Sequence, residues 1–406
     1  MDNEQSYFVA TPGKVILFGE HAVVYGKTAL ASALGLRTYA WLKTRHDGLA
    51  VLHFPDVGLT KSWNIQDVVA KLAVDPIPGK PIPMSSTVGA SLGSLLSDVT
   101  SGNSRQAALA FLYMLARIHP QCSGVEVIVR SALPIGAGLG SSASYSVCAA
   151  AGLLLAAHAI QPIQPPSTSF AHDELISINE WAFISEKILH GTPSGIDNSL
   201  CTFGGAQLFA KGDLQPLKGF TSLRFLLINT CVPRDTKKQV ENVRKRKEQL
   251  PAIMHPLMDA VQGVTESCKE AFAQIPIHRP TIISTMETLI DINHGLMVAA
   301  GVSHPSLETV RRITSQHGLV SKLTGGGGGG CAIALIRDDT SDETIHQIAT
   351  ELQAQGMESF ETTVGGSGVQ GMMVTEDLIR NACGCGYETF DTGAITWSKL
   401  DALLPK

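Results

Sequence analysis

The sequence predicts a protein of two domains that mix strands with helices, and three observations lead to this prediction. The chain has 406 residues, which corresponds to about two folding units of the usual size. A strand pattern, a glycine-rich loop and a helix pattern follow one another over residues 125–158. After about residue 225 the pattern changes to a series of helices. We therefore expect one domain over residues 1–225 and a second over 226–395.

Composition excludes several classes of function. Hydrophobic residues make up 44% of the chain, which is enough for a sizeable core, and the net charge of −5 disfavours a nucleic-acid binder. The N-terminus lacks the segments of a secretory signal, and the longest apolar run, Val147–Ala157, is too short to span a bilayer. Eight scattered cysteines are typical of a reducing compartment. We expect a cytoplasmic protein without nucleic-acid or membrane partners.

The segment Leu133–Tyr145 is the strongest candidate for a binding site. Val125–Arg130 before it alternates like a strand, and Ala143–His158, which overlaps its end, is rich in Ala and Leu like a helix. The loop contains Gly136, Gly138 and Gly140, followed by Ser141 and Ser142. Glycines allow a close approach of the backbone to an anion, and the start of a helix favours negative charge. The pattern fits neither a Walker A loop nor a clean dinucleotide fingerprint, and a tight turn with a serine-capped helix remains an alternative.

Near the N-terminus, Lys14 precedes the apolar run Val15–Phe18, and Glu20 and His21 follow it. The run predicts a buried strand with charged residues beside it. A solvated ion pair of Lys14 with Glu20 is the alternative to a functional role, and such a pair contributes little. Two further strands are predicted next, over Leu30–Leu36 and Thr38–Lys43.

Further along the chain, a Pro-, Ser- and Gly-rich stretch over residues 74–104 predicts a surface excursion or lid. Asp173–His190 has a helical pattern that contains Glu186, and a Pro/Gly turn then leads to Asp197. An aspartate in such a turn most often begins a helix. After 225, helices are predicted at Val240–Pro256, Leu257–Gln274 and Thr281–Gly301.

Six consecutive glycines occupy residues 325–330, directly after Lys322-Leu-Thr. They could form a flexible linker. An apolar strand, Cys331–Ile336, follows at once, and this favours an ordered loop with exposed backbone N–H groups. We expect this strand and Gly368–Val374 to belong to one sheet.

Four segments together resemble the GHMP kinases: Pro12–Gly26, Pro134–Ser146, His190–Asn198 and Lys322–Cys331. Gly326 departs from the family pattern, in which Ala is more familiar, without removing a reactive group. The resemblance implies an α+β fold of two domains. The N-terminal domain would be like ribosomal protein S5 domain 2 and the C-terminal domain ferredoxin-like, with MgATP and an acceptor alcohol in the cleft between them.

The resemblance also implies an activity, the ATP-dependent phosphorylation of the primary hydroxyl of mevalonate in isoprenoid and sterol precursor synthesis. It further implies a homodimer and feedback inhibition by prenyl diphosphates. Two alternatives stay open at this point. The acceptor could be phosphomevalonate or a sugar, or the chain could be a ligand sensor that has kept a kinase fold but lost its catalytic activity.

Residue roles follow from the same resemblance. Asp197 would be the general base, and Lys14 would keep it ionised and offset developing charge. Mg²⁺ would be held by Ser142 and Glu186. ATP would be bound by Lys14, Ser131, Gly136, Ala137, Gly138, Leu139, Gly140, Ser141 and Ser142. The acceptor would be bound by Glu20, His21, Asp197, Gly327 and Gly328.

Overall fold

The computed structural model describes residues 4–72, 80–134, 136–164, 167–274, 278–383, 390 and 397–404. Its strands are β1 Ser6–Phe18, β2 Ala29–Thr44, β3 Leu49–Phe54, β4 Leu59–Asn64, β5 Val125–Ser131, β6 Ala206–Ala210, β7 Asp213–Pro216, β8 Leu223–Asn229, β9 Ser321–Leu323, β10 Cys331–Ile336, β11 Glu358–Val364 and β12 Gln370–Met373.

The α-helices are α1 Ile65–Ala70, α2 Ser86–Gly93, α3 Gly102–Ile118, α4 Ser141–Ala156, α5 His172–His190, α6 Ile196–Phe203, α7 Thr236–Gln249, α8 Pro251–Ala273, α9 Arg279–Ala300, α10 Pro305–Gln316, α11 Asp342–Ala354, α12 Glu376–Cys383 and α13 Trp397–Asp401. Short 3₁₀ helices lie at Ala22–Tyr25, Pro55–Val57 and Ser94–Leu96. The predicted excursion over 74–104 contains α2 and one of these 3₁₀ helices, while residues 73–79 lie outside the described part of the chain.

Strand β2 connects most of the N-terminal half, because it pairs with β1, β5, β6 and β11. The prediction of two strands at Leu30–Leu36 and Thr38–Lys43 is wrong, since one continuous strand runs through both. Pairing with β1 jumps from Arg37 opposite Pro12 to Ala33 opposite Lys14. The irregularity in the sequence pattern is therefore a bulge, which bends the strand without ending it.

A second group of strands, β9, β10, β8 and β11, forms the C-terminal half of the sheet. It joins the first through Val364 of β11, which is paired with Leu34 at the bulge of β2. Strands β10 and β12 belong to one sheet, as predicted, but they are not neighbours, because β12 returns to the N-terminal half and pairs with β1. The predicted domain boundary at residue 225 falls inside β8.

The helices after β8 follow the predicted series with one shifted boundary. Pro256 was expected to end a helix, but it lies inside α8, and the interruption comes at Leu250, before Pro251. Proline is favourable at the first helical position, where no N–H is needed. Pro251 therefore begins the helix, and Pro256 is accommodated one turn later.

The hydrophobic core continues across the two halves. One cluster of buried side chains includes Leu34 and Leu139 from the N-terminal half with Phe225, Phe272 and Ile333 from the C-terminal half. Helices α3, α4 and α5 pack over a second cluster against the N-terminal strands. Among the described residues, no helix is long and apolar enough to cross a membrane. The shared cluster fixes the position of the two halves around the cleft in which the glycine-rich motifs of the sequence meet.

Candidate active site

Lys14 and Asp197 form an ion pair at the centre of the cleft. The Lys14 Nζ atom lies 3.2 Å from the Asp197 Oδ1 atom. Lys14 stands on β1 opposite the β2 bulge, and its N–H donates to the Leu139 carbonyl at 2.8 Å, which ties the strand to the glycine loop. Asp197 lies in the first turn of α6. The alternative pairing of Lys14 with Glu20 is therefore wrong.

The glycine loop joins β5 to α4 as the sequence predicts. Gly136, Gly138 and Gly140 all have positive φ angles, and Gly140 caps the start of α4 in the left-handed conformation. A Cβ atom on Gly140 would lie 2.9 Å from Lys14 Cγ, and one on Gly138 would lie 1.3 Å from Arg234 Nη2. Glycine is thus required here both by backbone conformation and by the close approach of two cationic side chains.

A cavity of about 340 Å³ lies against this loop. Apolar side chains form part of its wall, namely Phe54, Val57, Ala107, Tyr145 and Leu189. The rest of its lining consists of Asn103, Gln106, Ser131, Gly136, Gly138, Gly140, Ser141, Ser142, His190 and Asp197. Of the predicted ATP-binding residues, Ala137 and Leu139 have side chains in the hydrophobic core, which leaves only their backbone for a ligand.

Glu186 on α5 is a buried carboxylate beside the loop. The Ser146 hydroxyl donates to its Oε1 atom at 3.3 Å, and the Ser142 hydroxyl also bonds to it. Burial, followed by the negative charge of Asp197, raises the pKa of Glu186 to about 7. Ser142 additionally lies 2.9 Å from His190 Nε2. A buried carboxylate next to a hydroxyl and a phosphate-type loop is an arrangement that a divalent cation would stabilise.

Arg234 is a member of the site that the sequence did not reveal. It lies directly before Asp235, which caps α7, and no motif surrounds it. Its guanidinium group lies over Gly138 on one side and next to Gly325 on the other. Burial lowers its pKa, although the nearby Asp197 opposes the change. One cationic side chain therefore connects both glycine loops, and only the tertiary structure places it there.

The six-glycine segment is an ordered loop, as predicted, and not a linker. A Cβ on Gly327 would lie 2.1 Å from the Val302 carbonyl oxygen, to which the Gly328 N–H donates at 2.8 Å. The Gly330 N–H donates to the Val232 carbonyl at 3.0 Å. Gly328 and Gly330 thus use their N–H groups to hold the loop. We expect any contact of this loop with a ligand to come from its other members.

Glu20 and His21 lie deeper than their predicted role in acceptor binding requires. The two Glu20 carboxylate oxygens accept hydrogen bonds from Lys322 Nζ and from Asn293 Nδ2, and both charged side chains are fully buried. His21 Nε2 donates to the Gly326 carbonyl at 2.9 Å, and burial lowers the pKa of this imidazole. These contacts join the N-terminal motif to the C-terminal glycine loop. A direct role of Glu20 and His21 toward the acceptor stays a prediction.

Comparisons with known proteins agree with this geometry. A family model described as the GHMP kinases N terminal domain matches residues 105–205, and one described as GHMP kinases C terminal matches residues 281–355. The mevalonate kinase of Mus musculus is 36% identical over 394 residues, which cover 94% of this chain and 99% of the mouse protein. That of Candida albicans is 40% identical over 397 residues, 92% of this chain and 91% of the yeast protein.

A solved structure, that of Leishmania major mevalonate kinase in complex with R-mevalonate, matches with a TM-score of 0.64 and 24% identity over 88% of this chain and 96% of its own. At that identity the likeness shows the fold alone, and it confirms the predicted two-domain α+β architecture. The two family models and the near full-length relatives show to which family the chain belongs. The chain belongs to the GHMP kinase family, within which the relatives that match it along nearly its whole length are mevalonate kinases.

Proposed function

We propose that the protein transfers the γ-phosphoryl group of ATP to the primary hydroxyl of mevalonate, giving 5-phosphomevalonate and ADP. The observation that carries the proposal is the ion pair of Lys14 with Asp197, a residue that lines the glycine-loop cavity. Phosphoryl transfer to an alcohol needs positioning in line and compensation of charge, and little covalent chemistry from the protein. These needs are met by Asp197 as a base, by the cationic side chains of Lys14 and Arg234, and by the glycine loop.

In this proposal Asp197 accepts the proton of the acceptor hydroxyl while the oxygen bonds to the γ-phosphorus and the bond to the ADP oxygen breaks. Lys14, 3.2 Å away, pairs with this carboxylate and offsets charge on the attacking oxygen. Arg234 lies against Gly138, where the phosphates of ATP would rest, and offsets charge on the transferred group. Ser131 and the loop from Gly136 to Ser142 hold the nucleotide.

Mg²⁺ would be held by Ser142 and Glu186, together with phosphate oxygens. In the described part of the chain, no three His, Cys, Asp or Glu side chains are grouped to bind a metal. This suits Mg²⁺, which commonly binds one or two carboxylates plus substrate phosphates and waters. When bound, the ion would neutralise negative charge on the phosphates. Glu186 fits this role because it is a buried carboxylate that the Ser142 and Ser146 hydroxyl groups hold beside the glycine loop.

The proposal extends to regulation, location and assembly. Inhibition by prenyl diphosphates fits a cavity whose lining combines a phosphate-type glycine loop with apolar side chains. A cytoplasmic location agrees with the unpaired state of the cysteines in the described residues. We also propose a homodimer and a place in sterol precursor synthesis, which follow from the family resemblance.

The acceptor is tested by measuring ADP release from MgATP with mevalonate, phosphomevalonate, galactose or homoserine as the second substrate. We expect turnover with mevalonate, and at least a hundredfold less with the others. Turnover on a different acceptor would keep the nucleotide site and overturn the substrate. Nucleotide binding without turnover on any acceptor would favour the sensor alternative.

A further inference from the structure

We infer that the C-terminal segment, defined here as Phe390 with Trp397–Leu404, positions one wall of the nucleotide cavity through Arg130 and Asp56. The inference rests on the proposed function, since it takes the cavity to be the ATP site. It concerns a part of the chain that lies outside both family-model matches, which end at residue 355. Sequence patterns assigned no role to this part.

The C-terminal segment covers the face of the N-terminal strands that is remote from α3, α4 and α5. Its buried side chains form a cluster with strand residues, and this cluster consists of Phe8, Ala10, Tyr39, Trp41, Ile128, Val374, Ile379, Phe390, Leu400, Leu403 and Leu404. Trp397 stacks on Tyr39 with a centroid distance of 5.7 Å, and Phe390 meets Trp41 edge-on at 5.8 Å. The Tyr39 hydroxyl donates to Asp401 at 2.7 Å. The segment is therefore held by apolar, aromatic and polar contacts together.

Arg130 connects this segment to the cavity. It stands on β5, directly before Ser131, and its Nη1 atom donates to the Phe390 carbonyl at 3.1 Å. Its guanidinium carbon lies 5.9 Å from the centre of the Trp397 ring. The Nε atom of the same group lies 3.2 Å from Asp56 Oδ1. One side chain thus contacts the C-terminal segment with one part and Asp56 with another.

Asp56 in turn fixes two pieces of the cavity wall. It belongs to the 3₁₀ helix Pro55–Val57, and both Phe54, directly before this helix, and Val57 within it line the cavity. Its Oδ2 atom accepts the Ser131 N–H at 2.7 Å, and Ser131 also lines the cavity. The Arg130 and Asp56 side chains are only 11% and 21% exposed, so their pairing is less screened than a surface ion pair.

The consequence is a positioning role with a specific kinetic signature. Loss of the Arg130–Asp56 link would release the 3₁₀ helix and the Ser131 backbone, both of which border the cavity that the proposed function assigns to the nucleotide. Asp197 and Lys14, the groups proposed for the chemistry, do not contact this path. Loss of the Arg130–Asp56 link should therefore weaken nucleotide binding while leaving kcat and the KM for mevalonate nearly unchanged.

The experiment compares Asp56→Asn on the cavity side and Trp397→Ala on the side of the C-terminal segment with wild type in the full-length protein. The Kd of MgADP is measured by calorimetry, and kcat and both KM values by ADP release. Mutations along a coupled network typically change affinity by about three- to thirtyfold, and we expect a loss of nucleotide affinity in this range for both variants. Circular dichroism and thermal melting check that each variant is folded.

Glu126→Gln is the matched control. Glu126 stands on the same strand, β5, and pairs with Arg45 at 2.6 Å, but it contacts neither the C-terminal segment nor the cavity. Nucleotide affinity in this variant should equal that of wild type. If Trp397→Ala matches the control, the role of the C-terminal segment is overturned, and if Asp56→Asn also matches it, the whole path is overturned. A wild-type protein that binds no nucleotide would instead overturn the proposed function.

Should Trp397→Ala not fold, Tyr39→Phe provides the test on that side. It removes only the hydroxyl that donates to Asp401 and keeps the ring that stacks on Trp397. We expect a smaller loss of nucleotide affinity in the same direction, about two- to threefold. An affinity equal to that of Glu126→Gln would contradict the inference.

Discussion

Two carboxylates share the candidate site but have different surroundings. Asp197 has a side chain that is 39% exposed, and it faces the Lys14 ammonium group. Glu186 is buried, and the hydrogen bonds it accepts come from neutral hydroxyl groups. The exposed, charge-paired Asp197 suits a base, and the buried Glu186 suits a metal ligand.

This difference predicts a pH dependence of stability in the metal-free protein. The folded-state pKa of Glu186 is about 7 and its ordinary value is 4.5, so the folded state binds the proton more tightly. The stabilisation is fully present below about pH 4.5 and is lost as the pH rises through about 7. The contribution of Glu186 to the melting temperature of the EDTA-treated protein should therefore fall between pH 5 and pH 8.

Glu186→Gln isolates the contribution of this one carboxyl group. The variant should show a smaller decrease in melting temperature over the same range, because glutamine stays neutral throughout. Parallel melting curves for wild type and variant between pH 5 and pH 8 would contradict the assignment of the raised pKa to Glu186.

At the scale of elements, the site depends on loops whose glycines admit side chains from elsewhere in the chain. The strand–loop–helix unit around Gly136–Ser142 brings backbone N–H groups and the start of α4 to the cavity. The second glycine loop contacts the same Arg234 through Gly325 and Gly330. Both loops therefore limit the space in which phosphate can bind.

Gly138→Ala and Gly136→Ala form a matched pair that tests this arrangement. Both positions have nearly the same positive φ, 77° and 75°, so both variants suffer similar backbone strain, about 1 kcal/mol. A Cβ on Gly138 would displace the Arg234 guanidinium, whereas one on Gly136 meets no atom within 4 Å. We expect kcat to fall at least tenfold more in Gly138→Ala. Equal losses in the two variants would remove Arg234 from the proposed catalytic group.

At the scale of the whole molecule, the two halves are joined by a shared core and by a buried ion pair. Glu20 comes from the end of β1, and Lys322 from β9. Burial lowers the pKa of Lys322, and Glu20 opposes the change. A buried pair of this kind adds little net stability, but removing one partner leaves an uncompensated charge. The pair therefore favours one arrangement of the two halves over others.

Lys322→Met should accordingly destabilise the protein by about 3–5 kcal/mol, because the Glu20 carboxylate would remain buried without its cation. The double variant Glu20→Gln with Lys322→Met removes both charges and should recover most of the loss. Urea unfolding of the two variants and wild type measures the difference. If the double variant is no more stable than Lys322→Met, the loss of the ion pair is not the cause of the destabilisation.

Much of the site could be predicted from sequence, because its motifs are local. The glycine loop, the α5 helix that ends at His190 and the helix that begins at Ile196 follow from patterns within twenty residues. Arg234 could not be found in this way, since it acts through distant glycines and has no local signal. The burial of Glu20 likewise depends on Lys322, which is 302 residues away.

In the fold, as in the site, some features follow from local sequence patterns and others depend on residues that are distant in the chain. Helices and the apolar strands β8 and β10 agree with their local patterns, whereas the bulge in β2 was mistaken for a gap between two strands. A bulge and a turn interrupt the alternation in similar ways, and only the partner strands distinguish them. The return of β12 to β1 also needs knowledge of the pairing.

The most direct test of the account is the turnover of Asp197→Asn with saturating MgATP and mevalonate, measured beside its affinity for MgATP. Asparagine keeps the size of the side chain and removes its basicity. We expect kcat to fall by about a thousandfold or more while the Kd for MgATP stays within about threefold of wild type. A kcat within tenfold of wild type would contradict the proposed role of Asp197 as the base and, with it, the mechanism built on the Lys14–Asp197 pair.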